Sequence, residues 1–97
     1  MLTIEEIKSA VTKVGKKYGI KSAYLFGSYA KNTATEGSDT DILIDKGKIC
    51  GYLQLNGFRL DLAEILGKNV DVVTIGGASQ SFLDSISVNK ILLYGSA

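Results

Sequence analysis

Ile4, Ile7, Val11, Val14 and Tyr18 recur at helical spacing, which predicts an amphipathic helix over residues 4–18. Thr3 with Glu6 three positions later has the form of a capping box, and Gly19 can stop the helix in a left-handed turn. Residues 21–26 are rich in aromatic and aliphatic side chains and read as a short strand that breaks at Gly27, after which Ser28 can cap a helical turn running to Asn32. The stretch Asn32 to Ser38 is small and polar, hence a surface loop, and a second strand runs from Thr40 to Asp45 before the turn Lys46-Gly47-Lys48. Leu55, Phe58, Leu62, Ile65 and Leu66 form a helical stripe over 51–66, although Gly51 and Gly57 each weaken that helix by about 1 kcal/mol relative to alanine. Gly67 suits a left-handed cap, Asn69 to Thr74 a third strand, and Gly76-Gly77 a flexible joint. A last amphipathic segment then returns Phe82, Ile86, Ile91 and Leu93 to the core. Strands alternating with helices predict a small α/β (α+β) domain, a short mixed sheet flanked by helices.

Composition narrows this picture. A chain of 97 residues, 45% hydrophobic, can enclose one modest core, so residues 1–97 are expected to form a single domain. Its apolar runs are too short to span a bilayer and its start is acidic, so no membrane contact and no secretion signal are expected. One cysteine, Cys50, and no histidine point to a reducing, cytoplasmic setting and to a hard, oxygen-liganded metal if there is one. A net charge of +1 gives no strong nucleic-acid signal, and Lys13, Lys16, Lys17 and Lys21 read as the solvated end of the first helix.

The candidate chemistry lies at strand ends. Asp39 and Asp41 flank Thr40 at the mouth of the second strand, and side chains two apart along a strand point the same way. The strand Tyr24-Leu25-Phe26 ends in Gly27-Ser28, and Asp71 sits within the apolar run Val70 to Val73. Three carboxylates and a Gly-Ser turn gathered at one sheet edge would make a site for divalent metal and phosphate. Each alone has a plainer reading: a turn, a solvated strand end, an outward strand residue. Asp45 reads as a turn residue, Asp61 and Glu64 as the wet face of the third helix, and Tyr29 as either packing or a base-stacking ring.

Gly27-Ser28-Tyr29-Ala30-Lys31 followed by Ser38-Asp39-Thr40-Asp41-Ile42-Leu43 resembles the signature of the DNA polymerase β-like nucleotidyltransferases. The branch it is most similar to is the minimal nucleotidyltransferases (MNT) of HEPN/MNT toxin–antitoxin pairs. Leu60 to Thr74 resembles that branch's helix, turn and third-aspartate strand, and Lys90 to Gly95 resembles its last helix. The resemblance implies a polymerase β palm-like fold, with Asp39, Asp41 and Asp71 as catalytic and metal-binding residues for two magnesium ions, Mg2+. It implies that Gly27, Ser28 and Lys31 bind the phosphates of the nucleoside triphosphate ATP, and that AMP passes to a tyrosine of a partner HEPN toxin. Lys31 stands where many relatives carry arginine, keeping charge without a bidentate fork, and Asn32 stands where glycine is common. Two other functions remain open: a non-catalytic antitoxin that neutralises its partner by contact, and a small-molecule transferase of the antibiotic-modifying kind. The apolar Leu92-Leu93-Tyr94 is a candidate surface for homo-oligomer formation.

Overall fold

The computed structural model describes residues 1–95. Helix α1 spans Ile4–Tyr18, with the Thr3–Glu6 capping box formed in both directions and Gly19 at φ 74° closing its end. Strand β1 (Ser22–Phe26) leads directly into a single helical turn, α2 (Gly27–Ala30). Strand β2 spans Thr40–Asp45, helix α3 Gly51–Leu66 and strand β3 Val70–Thr74. A 3-10 turn at Ile75–Gly77, helix α4 (Gln80–Ile86) and strand β4 (Ile91–Tyr94) complete the described chain.

The four strands form one mixed sheet in the order β3-β2-β1-β4. β1 is antiparallel to both β2 and β4, while β2 and β3 are parallel and joined through α3. This is the short mixed sheet flanked by helices that the alternation of elements predicts, with a fourth strand added.

Helices α1 and α3 pack on each other and cover one face of the sheet. Ala23, Leu25, Ile42, Ile44, Val70 and Leu93 meet Ile7, Val11, Val14, Phe58 and Leu62 there. Alternation along each strand sends the intervening residues, including Phe26, Asp41, Leu43 and Asp71, to the opposite face. On that face Phe82 of α4 stands edge-on to Phe26, ring centroids 5.4 Å apart. The crossing from β3 to β4 therefore lies over the acid-bearing face.

Several expectations need correction. The closing segment is not a helix, because Ile91 to Tyr94 pairs with the free edge of β1 and places Leu93 in the core by a two-residue period. Of Leu92-Leu93-Tyr94, only Leu92 stays exposed. Ser28 is not a cap: β1 ends at Phe26 as expected, but α2 already begins at Gly27, where φ is 73°, with Phe26 in the cap position, and it stops at Ala30. Ile65 is half exposed in a groove between α1 and α3 rather than in the core. Asp61 is not simply wet, since its carboxylate accepts from Lys17 Nζ at 2.9 Å and Tyr18 Oη at 3.0 Å, fastening α1 to α3. The Lys17 ammonium accordingly holds the Asp61 carboxyl below its ordinary value. The Gly76-Gly77 joint, for its part, is a structured 3-10 turn whose Gly77 N–H donates to Thr74 Oγ1 at 3.2 Å.

Candidate active site

Strand pairing builds the site. Phe26 lies opposite Asp41 across the β1–β2 ladder, and Asp41 lies opposite Asp71 across the β2–β3 ladder. Directly opposed residues share a face, so Phe26, Asp41 and Asp71 form a row across three strands. Asp39, one residue before β2, is exposed at the same mouth.

Gly27 closes the row from β1. A Cβ built on it would come 2.1 Å from Asp41 Oδ2, and its φ of 73° belongs to the left-handed region. No side chain fits there without moving the carboxylate. The pairing of Gly27 with Asp41 is thus a steric fit between a turn and an acid, in addition to any approach that glycine allows to phosphate. Ser28 follows half-buried, its side chain unused for capping.

Electrostatics mark the same place. Burial first, and then the charges of Asp71 and Asp39, push the Asp41 carboxyl up to about 6, with a hydrogen bond to Asp71 adding to the rise. Among the described residues no ion pair involves Asp39, Asp41 or Asp71. Three acids without a basic partner are a poor arrangement by themselves and a good one for a bound cation. Asp41 and Asp71 are within hydrogen-bond reach of each other, whereas Asp39 acts on Asp41 through charge; among the described residues no three acids, histidines or cysteines are packed as a ready-made metal cage. The donor set is nevertheless all oxygen and locally uncompensated, which suits magnesium.

The remaining sequence candidates fall outside the acid row. Lys31 caps the end of α2 at the surface. Asn32 takes φ 59°, a left-handed conformation that asparagine tolerates better than most residues, which explains its exchange with glycine as a backbone matter. Tyr29 is 6% exposed and belongs to the core, so packing, not base stacking, is its role. Asp45 accepts weakly from Gly47 N at 3.5 Å, as a turn residue does. Phe26 had no role in the sequence reading; the signal was its place two residues from Tyr24 and one before Gly27, but only the strand register makes it the neighbour of Asp41.

A mixed sheet carrying acids at one edge beneath a glycine turn defines a nucleotidyltransferase domain. The family model "Polymerase beta, Nucleotidyltransferase" matches residues 5–97, and the chain belongs to that family. It is similar to the protein adenylyltransferase MntA of Thermococcus cleftensis, 38% identical over 77 residues that make up 75% of this chain and 78% of the relative. A chain of Methanocaldococcus jannaschii provisionally named a protein adenylyltransferase is 40% identical over 85 residues, 88% of this chain and 91% of its own. Among solved structures, a toxin–antitoxin crystal structure with AMP-PNP superposes with a TM-score of 0.79 at 25% identity, covering 98% of this chain and 75% of that one. A structure provisionally described as a minimal nucleotidyltransferase gives 0.79 at 26% identity, with 93% and 95% covered.

Proposed function

We propose that this protein transfers AMP from ATP to the hydroxyl of a tyrosine on a partner HEPN toxin, and that it acts thereby as the antitoxin. The observation that carries the reading is the row of Asp41 and Asp71 on adjoining strands, flanked by Asp39 and closed by Gly27. Relatives named protein adenylyltransferases and a toxin–antitoxin neighbour with AMP-PNP support it.

In this reading residues 1–97 are one catalytic domain working in the cytoplasm, where ATP is supplied. Ser28, with the Gly27 main chain beside it, receives the β- and γ-phosphates, and Lys31 adds a positive charge near them. Asp39, Asp41 and Asp71 hold magnesium, which when bound neutralises the phosphate charge and lowers the barrier to displacement. The acceptor oxygen forms a bond to the α-phosphorus while the bond from that phosphorus to pyrophosphate breaks. Asp71, exposed at the sheet edge, is placed to take the acceptor's proton.

The test is to incubate the protein with magnesium, labelled ATP and a candidate HEPN protein. Label on the HEPN chain, abolished by Asp41→Asn, is the expected result. A stable complex without label establishes a contact antitoxin instead, and label found only on an added small molecule establishes an antibiotic-type transferase.

A further inference from the structure

Lys68 follows the cap of α3, yet its side chain is only 21% exposed, well buried for a lysine. Its ammonium donates to the main-chain carbonyl of Glu36 and lies 3.7 Å from the Glu36 carboxylate. Glu36 belongs to the loop between α2 and β2, three residues before Asp39. The next residue in the α3–β3 turn, Asn69, accepts through its carbonyl from Thr40 N at 3.1 Å. Two consecutive residues of one turn therefore grip the acid-bearing segment on either side of Asp39. The loop is also closed on itself, with Ser38 N donating to Thr35 O at 3.0 Å and Thr35 N donating to Ser38 Oγ at 2.9 Å. The Met1 amino group donates to the exposed Glu36 carboxylate at 2.8 Å, so the Glu36 side chain serves the N-terminus while its main-chain carbonyl serves Lys68.

We propose that Lys68 is a positioning residue, a clasp that pins segment 36–40 to the α3–β3 turn and so sets Asp39 beside Asp41 and Asp71. The inference rests on the nucleotidyltransferase reading for its catalytic consequence, while the clasp itself can be tested without turnover. Asp39 needs such help: it lies outside the β2 ladder and is exposed, whereas Asp41 and Asp71 are fixed by strand pairing. Because the principal bond goes to a main-chain carbonyl, the Glu36 side chain is dispensable to the clasp and the lysine is not.

Hydrogen exchange on the 97-residue chain without nucleotide is the first arm. A charge-assisted hydrogen bond of this kind predicts that Lys68→Met, which keeps the aliphatic stem, speeds exchange of the hydrogen-bonded Ser38 and Thr40 amides of segment 36–40 by about tenfold while α1 and α3 stay protected. Lys68→Arg restores protection, and Glu36→Ala leaves it within about twofold of wild type. The second arm is calorimetry with Mn2+, where Lys68→Met weakens binding by about tenfold. The third is labelled AMP transfer, where Lys68→Met raises the magnesium needed for half-maximal rate by a similar factor with KM for ATP nearly constant. Unchanged exchange in 36–40, unchanged Mn2+ affinity, or an equal effect from Glu36→Ala overturns the clasp. Absence of label transfer by the wild type, with the exchange and Mn2+ results as expected, overturns the enzymatic reading and leaves the clasp standing.

Discussion

On the helix-covered face of the sheet, Ile42 and Ile44 are completely buried among Phe58 and Leu62, apolar contacts that favour the folded chain. One residue away on the same strand, Asp41 sits on the other face against a second carboxylate, with no basic partner among the described residues. A single strand thus serves two opposite ends, Ile42 and Ile44 supplying stability on one face while Asp41, beside the buried Leu43, holds charge where charge is costly on the other. The comparison teaches that the acid row is maintained against the preference of the free protein, which is the expected mark of a site that works with a bound cation.

The largest effect should come from breaking the acid row. Asp41→Asn or Asp71→Asn is expected, on the proposed function, to lower labelled AMP transfer at least about a thousandfold, since a charge that would hold magnesium is lost, while circular dichroism stays native. Breaking the other face gives the converse. Phe58→Ala should cost about 3 to 5 kcal/mol in urea unfolding through the cavity it leaves in the core. Between the two lies Gly27→Ala, where a methyl would collide with Asp41 and the φ of 73° is unfavourable. Transfer should fall about a hundredfold and stability by about 1 to 2 kcal/mol, and an unaffected rate would show that the fit of turn to acid does not matter.

The pH dependence sharpens the contrast further. The folded Asp41 carboxyl titrates at about 6 against an unfolded value of 3.8, so its protonation favours the folded state. That contribution is complete below 3.8 and is lost as pH rises through 6. Allowing for solvent screening of a partly exposed group, it amounts to about 1 kcal/mol. Metal-free wild type compared with Asp41→Asn should therefore converge in stability near pH 4 and diverge by pH 7, with Asp41→Asn the more stable, as read by thermal melts. Carboxylates held low by their partners, Glu6, Glu36 and Asp61, act in the opposite sense in both proteins and drop out of the difference. The smallest effect is expected at Asn32→Gly, within about 0.5 kcal/mol and with transfer unchanged, because that position asks only for a left-handed backbone.

Helix α1, strand β2 and helix α3 were legible because each carries its own pattern and punctuation: a capping box and Gly19, a polar loop before Thr40, an apolar stripe ending at Gly67. The acids were legible as a set from period-two spacing and from the resemblance of their flanks. Strand β4 was not, since four residues give too short a pattern and the edge of β1 that captures them lies far back in the chain. The steric reason for Gly27 and the grip of Lys68 on Glu36 were invisible for the same cause: both depend on partners brought in by register and topology. Asp39 and Asp41 share a strand mouth by spacing alone, but their different attachment, one in the ladder and one on a loop, is a property of the folded chain.

The parallel pairing of β2 with β3 has a bearing on synthesis. A nascent polypeptide that has left the ribosome only as far as α3 already displays Asp39 and Asp41 but not the strand that brings Asp71. Such an intermediate has no complete cation seat, and the crossover through α3 must dock before one exists. In the proposed reading, all three carboxylates are therefore available together only after the sheet has closed over β3.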